Sequence, residues 1–557
     1  MTDKIIRGAG GPPPTPPPPF RAPDTLNSRQ FASIQDLISE GEIEGFATPS
    51  KAGLSKGSTA YNNAALKDIF LNDTPILSAS ASNTNPQTAD FNFQNVGFTP
   101  RFGTSNQTHV PGIEGSQSTS AVGITVTNSS PVTRQITNTA VDAAKVTITF
   151  PQLQKATDEG DLLGSSVNLK IQVQYNSGGF TDVINDTITG RTADAYQKEY
   201  RVSFTGSFPV DIRVVRVTAD STSSNLVDAF TWTSISEIVD DKQRYLNSAY
   251  TNLRIDSEQF SSIPKRAFRI RGVKVRIPGA GASSSGTPTV DLQTGRIIYP
   301  SGYIFNGTMG AAQWCSCPSL ILLDLLTTER YGFGTHITDS NLDLFSFIAA
   351  SKYANELVDD GFGGQEARFS CNVNIQGSTE AFTLINELAG VMRCFPIWSE
   401  GSVTISQDRP TDPSYLFSLA NVGEGGFSYS GSSLKQRHTV INVSYFNMDS
   451  REIDYEVVED TTAQNKLGII KKDVKAFACT SRGQAQRLGK AILFSEQQET
   501  EVVSFTTSID AGAIVRPGSV ISINDPVRGG ERRSGRIKSA TTTAITVDNT
   551  KDLDTFT

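Results

Sequence analysis

The strictest constraint on this 557-residue chain is a set of short segments whose apolar residues recur at alternate positions. Leu169-Lys170-Ile171-Gln172-Val173-Gln174-Tyr175 and Ile212-Arg213-Val214-Val215-Arg216-Val217 are two of them. Gly123-Ile124-Thr125-Val126, Val146-Thr147-Ile148-Thr149-Phe150 and Tyr200-Arg201-Val202-Ser203-Phe204 are others. A strand points successive side chains to opposite faces, so this alternation gathers the apolar ones on one side. Turn residues such as Asn176-Ser177-Gly178-Gly179 separate the segments, and short strands at that spacing predict a β-sandwich.

The rest of the chain is too long to share one core and predicts several domains. At 37% hydrophobic and 19% charged, with much Ser, Thr, Asn and Gly, it favours β-structure with many turns. A net charge of -8 argues against a general nucleic-acid coat. No apolar run reaches the roughly 18 residues a membrane helix needs, so a protein made soluble is expected. The run Pro12 to Pro19 predicts an extended polyproline arm or a disordered tail rather than a secretory signal. Phe31, Ile34, Leu37 and Ile38 are spaced for a short amphipathic helix stopped by Gly41. In Phe268 to Ile277 the apolar positions switch phase at Gly272. This predicts one strand with a bulge there and its cations on a solvated or subunit-facing side, with a channel lining for DNA as the alternative.

Trp314 to Pro410 reads as helix, glycine turn, helix, acidic glycine turn, strand, helix, strand. Pro318 suits a first helical position, and Tyr331-Gly332-Phe333-Gly334 ends the apolar run that follows it. A second helix should bury Leu342, Phe345, Ile348, Ala349 and Tyr353. A third should bury Phe382, Ile385, Leu388, Ala389 and Met392. Further on, Ser481-Arg482-Gly483-Gln484 opens a helix, with Ser481 capping the Gln484 amide and Gln484 reaching back.

Reactive chemistry is sparse. His109, His336 and His438 lie far apart, without a serine elbow or cysteine signature, so no hydrolytic triad is assigned. Cys315, Cys317, Cys371 and Cys394 would supply four thiolates to zinc or an iron–sulfur cluster, but a C-x-C pair is geometrically awkward. Five cysteines, an odd and scattered number, read as buried free thiols. Asp359-Asp360-Gly361 lacks the alternating acids of a calcium loop. No catalytic residue, cofactor or metal ligand is assigned. The loop Arg528 to Arg536, the densest basic stretch, reads as solvated or intersubunit, with a site lining a DNA passage as the alternative.

A set of motifs in fixed order resembles the central tail tip (host-specificity) proteins of lambda-type long-tailed phages, in their N-terminal hub region. It comprises Trp314-Cys315, Arg330-Tyr331-Gly332-Phe333-Gly334, Asp360-Gly361-Phe362-Gly363-Gly364, Met392-Arg393-Cys394-Phe395-Pro396-Ile397-Trp398 and Gln407-Asp408-Arg409-Pro410. Upstream it includes Ile38 to Gly45 and Ile255 to Phe260; downstream, Val458-Glu459-Asp460-Thr461 and Cys479 to Ala485.

The resemblance implies a mainly β protein with α+β lobes, a multi-domain phage tail hub with β-barrels, an inserted β-sandwich and small helical domains. The expected divisions are a Pro-rich arm over 1–25, a first barrel-like hub domain over 26–85 and 231–300, and the inserted sandwich over 86–230. A helical α+β hub domain over 301–400, a second hub barrel over 401–465 and 500–557, and an inserted helical lobe over 466–499 complete them. The family implies a non-enzymatic homotrimer at the tail tip of a virion, assembled in the host cytoplasm. Its expected partners are the distal tail protein, other tail tip proteins and the tape-measure protein. Modules beyond this region would reach a host outer-membrane receptor, and DNA would make at most a transient contact. The rival readings are a tail-associated peptidoglycan hydrolase and the hub of a contractile or gene-transfer particle.

Overall fold

The computed structural model describes residues 18–28, 30–377, 380–399, 401–431, 433, 437–529 and 537–547. Most of the Pro-rich arm (1–17) and most of the basic loop (530–536) lie outside these residues. The architecture is mainly β, with many small sheets and a few helices, as the sequence leads one to expect. The chain divides into two compact units, Met1–Ile270 and Arg271–Thr557. Among the described residues no helix is long and apolar enough to cross a membrane.

In the first unit the alternating segments form two four-stranded antiparallel sheets. One runs in the order Thr181–Gly190, Ser165–Tyr175, Val210–Arg216, Val132–Ile136; the other Tyr196–Ser203, Ala143–Phe150, Thr231–Asp240, Glu114–Thr125. Leu169, Ile171, Val173, Ile212 and Val214 of the first sheet share a core with Val146, Ile148, Phe150 and Trp232 of the second. These are the positions that the period of two selects, and the sandwich they predict is present. Its strands extend to Asp240, and the first lies at Glu114.

A separate three-stranded sheet has the order Phe31–Glu40, Ser248–Asp256, Gly97–Phe102. The amphipathic helix expected at Phe31 to Ile38 is therefore a strand. Phe31 pairs with Asp256 and Glu40 with Ser248, so nearly the whole segment hydrogen-bonds to a neighbour more than 200 residues away. Ala32, Ile34 and Ile38 face the core around Phe46, Ile69 and Leu253, while Leu37 is exposed. Long-range pairing overrides an ambiguous local spacing.

The single bulged strand expected at Phe268 to Ile277 is also corrected. The chain forms three short strands, Arg266–Phe268, Ile270–Val273 and Val275–Pro278, broken at Arg269 and Lys274 rather than at Gly272. Its cations do not make one solvated face. Arg269 binds the buried Asp68 at 3.0 Å, and Arg271, 4% exposed, lies over the Trp314 ring at 4.4 Å. Arg276 grips Asp339 with both terminal nitrogens, at 2.8 and 2.7 Å.

In the second unit the helices Pro318–Thr327, Leu344–Ala354 and Ala381–Val391 share a core with Val275, Ile277 and Ile405. The expected buried faces need adjustment. Phe345 and Phe382 are 60% and 69% exposed, and Ala349 is exposed too; Phe347, Ala350 and Leu384 are buried instead. Leu342, Ile348, Leu388, Ala389 and Met392 are buried as expected, so the faces are correct in part and miss at Phe345, Ala349 and Phe382.

A three-stranded sheet, Glu452–Glu459, Val440–Asn447 and Lys471–Lys475, packs Ile441, Val443 and Val458 against Ala485 and Leu493 of the helix Arg482–Gln498. Strand Lys471–Lys475 and that helix, expected as an inserted lobe, thus share one core with the sheet. Tyr415–Ser418 pairs with Ile521–Asn524, and Ser428–Gly431 with Glu501–Ser504, bringing the two ends of the 401–557 stretch together.

Candidate functional site: a junction of two glycine motifs

The order-giving motifs sit where backbone packs on backbone. Helix Pro318–Thr327 starts with Pro318 in its first turn and buries Leu320, Leu322, Leu323, Leu325 and Leu326, so it is apolar nearly all round. The chain after it folds back onto its last carbonyls. The Phe333 amide donates to Leu325 O at 2.9 Å, and those of Gly332 and Gly334 donate to Thr328 O at 3.1 Å. A Cβ on Gly332 would stand 2.0 Å from Leu325 O, so these glycines are required by space and not by φ.

The acidic glycine turn, over 360–364, closes on itself. One Asp360 carboxylate oxygen accepts from the amides of Phe362 (2.7 Å) and Gly364 (2.9 Å), and these two bonds hold its acid below the usual carboxylate range. Gly361 and Gly363 take positive φ of 84° and 98°.

This turn meets the second motif, 479–485, more than a hundred residues later. Ser481 caps the helix through the Gln484 amide at 3.2 Å, as expected, but its hydroxyl donates to Glu366. The Gln484 side chain does not reach back. It crosses to Ser370, accepting from that residue's amide and hydroxyl at 2.9 Å each and donating to its carbonyl at 3.1 Å. Arg482 lies over the Phe362 ring at 4.0 Å and binds Glu456 at 2.7 Å. Arg487 binds Glu366 at 2.8 Å and donates to the carbonyls of Arg368 and Asp359. Gly483 lets the helix come this close: a Cβ there would lie 2.6 Å from Asp360 O.

Sequence reasoning found both motifs and missed that they touch. Arg487, Glu366 and Ser370 carried no local signal, because their partners lie more than a hundred residues away. The site joins elements. His438 lies against Glu496 at 2.8 Å, with Lys472 on the other carboxylate oxygen at 3.0 Å, which makes a surface cluster and not a triad.

All five cysteines are free and buried. Burial pushes the Cys371 and Cys394 thiols up to about 12 and the Cys479 thiol to about 11, and it raises Cys315 and Cys317 as well. The Cys317 sulfur sits 3.1 Å from the Ser351 hydroxyl. Among the described residues no group of three or more His, Cys, Asp or Glu could hold a metal ion. The native protein should therefore take up no maleimide at pH 7, whereas the denatured chain labels at five positions; fast native labelling at any of them would contradict this packing. With folded values raised, the stability these thiols carry is whole below about pH 9. It is lost as pH climbs through about 11 to 12.

The class follows from these two regions. The family described as "Tip attachment protein J, FNIII-A domain" matches residues 116–241, which are the sandwich strands, and "Putative phage tail protein" matches residues 380–540. The chain is thus phage-tail-like in both of its units. It is 30% identical over 552 residues to tip attachment protein J of Escherichia phage SECphi4, covering 98% of this chain and 45% of that one. It is 29% identical over 528 residues to tip attachment protein J of Escherichia phage SECphi27, covering 94% and 41%. The resemblance read from the motifs holds: the chain is similar to tip attachment protein J over nearly its whole length. It spans less than half the length of these curated relatives. Among solved structures, the CBM22-1 xylan-binding domain of Paenibacillus barcinonensis Xyn10C aligns at a TM-score of 0.14 and 8% identity. That alignment covers 26% of this chain and 87% of that one, and the likeness is too low to carry any argument.

Proposed function

We propose that this chain is a structural tail tip protein of a long-tailed bacteriophage, corresponding to the N-terminal hub of a J-like protein and located at the tail tip of the virion. The single observation carrying this reading is the near-complete alignment to two tip attachment proteins J. The junction supports it, since the motifs that carry the resemblance are spent on joining elements. In this reading the chain associates with other tail components and performs no catalysis. It closes the tail tube before infection and opens for the tape measure and DNA afterwards.

The finer assembly is a homotrimer contacting the distal tail protein, other tip proteins and the tape-measure protein, with receptor-binding modules beyond this region meeting the host outer membrane. Threefold company suits a chain with many short sheets, because unpaired strand edges offer backbone groups to a neighbouring copy. Mass photometry of the purified chain tests it: a species of threefold the 60.0 kDa chain mass is expected, and a monomer at every concentration would contradict it.

A further inference from the structure

The sandwich is fastened to its own unit at two ends. At one end it enters and leaves through the linkers 103–113 and 241–247. The nearly buried Gln107 ties these together by donating to the carbonyls of Arg244, Tyr245 and Ser248 at 3.0, 2.7 and 2.9 Å, while accepting from the Gly103 amide at 2.9 Å. Glu114 and Asp240 pair at this end.

At the opposite end lies an extended stretch, 18–28. The Phe20 amide donates to Asp161 at 2.6 Å, and Leu162 exchanges backbone bonds with Phe20 and Ala22. Arg191, only 8% exposed, donates through one guanidinium nitrogen to Ala22 O and to Asp24, both at 2.7 Å. Its backbone exchanges bonds with Thr25, at 2.9 and 3.1 Å. Leu26 packs on the sandwich core, and the Gln197 amide donates to Ser28 at 3.0 Å. Gly190 makes room: a Cβ there would stand 2.5 Å from Thr25 Oγ1 and 2.9 Å from Leu26 Cγ.

Register places these attachments far apart. Gln197 pairs with Thr149, and six residues along the same strand Ser203 pairs with Ala143, which faces Ile238 near the linker end. That is roughly 20 Å of strand. In the three-stranded sheet of the same unit (the hub sheet), strand Ser248–Asp256 starts at the linker and ends beside Phe31, about 27 Å away. Gln30 accepts there from both the amide and the hydroxyl of Ser257. The two spans are comparable, so the sandwich lies alongside the hub sheet, with linkers at one end and residues 18–28 and 30–31 closing the other.

We propose that residues 18–28 are a strap that sets the orientation of the sandwich, with Arg191 as its buckle, and that opening the strap frees the sandwich to swing on its paired linkers. This goes beyond the proposed function and stands whether or not the chain is a tail tip protein. The sandwich core is complete without the strap apart from Leu26, so release changes orientation and not folding. No covalent step is involved.

The test uses the full chain carrying Leu37→Cys on the hub sheet and Val183→Cys on the sandwich, both at exposed positions, spin-labelled while the native thiols stay buried. The parent should give one narrow distance distribution, and Arg191→Ala should broaden it. Protection of the Ala22 and Thr25 amides against hydrogen exchange should fall about tenfold, the equivalent of losing hydrogen bonds to a charged group. Peptides covering 143–150 and 210–216 should stay protected, which shows an intact sandwich. Asp24→Ala, at a half-exposed residue, removes one arm of the clasp and gives a milder form of the same change. An unchanged distribution in Arg191→Ala, or a parent distribution already broad, would overturn the proposal.

Discussion

Arg216→Ala should cost the sandwich about 3–5 kcal/mol. Arg216 ends the strand Val210–Arg216 and is 1% exposed. Its guanidinium binds the Asp228 carboxylate at 2.8 Å and the Asp228 carbonyl at 2.6 Å, and a third bond goes to Thr218 O at 3.0 Å. The Asp228 side chain is itself only 6% exposed. Removing the arginine strands that carboxylate in a medium that solvates it poorly, which is far more costly than losing a surface pair. Denaturant unfolding followed through the buried Trp232 measures the loss. The double variant Arg216→Met with Asp228→Leu should recover most of it, because no buried charge is then left unpaired; Asp220, which also meets Arg216 at 3.0 Å, is half-exposed and keeps its water. A single-variant loss below about 1 kcal/mol would show that water reaches the pair.

Gly483→Ala should destabilise the second unit by about 1–3 kcal/mol, against the usual sign. In a helix this change normally stabilises, since alanine is the better helix former by about 1 kcal/mol. Here the new methyl would meet Asp360 O at 2.6 Å and Asp360 Cα at 3.0 Å, both backbone atoms that cannot step aside. The helix must move off the acidic turn, and the Gln484–Ser370 bonds and the Arg487 contacts loosen with it. Gly390→Ala is the control. Gly390 also lies in a helix, but nothing stands within 4 Å of its missing Cβ, so alanine there should be neutral or stabilising. Equal effects at the two positions would remove the junction from the account.

What the sequence could show follows the range of the forces involved. The sandwich strands were legible because a period of two is imposed residue by residue, and Leu169, Ile171 and Val173 are all fully buried as that period requires. The Ser481 cap was legible because a cap and its amide lie three residues apart. The strand at Phe31–Glu40 was not, since its identity is decided by Ser248–Asp256, and no local window contains that partner. The same holds for Gln484, whose expected local bond to its own helix start loses to three bonds with Ser370. Arg271 read as one of a row of outward cations, yet the Trp314 ring takes it out of solvent. The family motifs named the right pieces. Their meeting at Gly483, and the clasp between Arg191 and the 18–28 stretch, depend on tertiary contacts that spacing does not encode.

The most direct test of the tail tip assignment is electron microscopy of phage particles carrying a gold-labelled epitope on this chain. Label confined to the end of the tail farthest from the head is the predicted result. Label on the head, or spread along the tail tube, or particles that carry none of this chain, would contradict it.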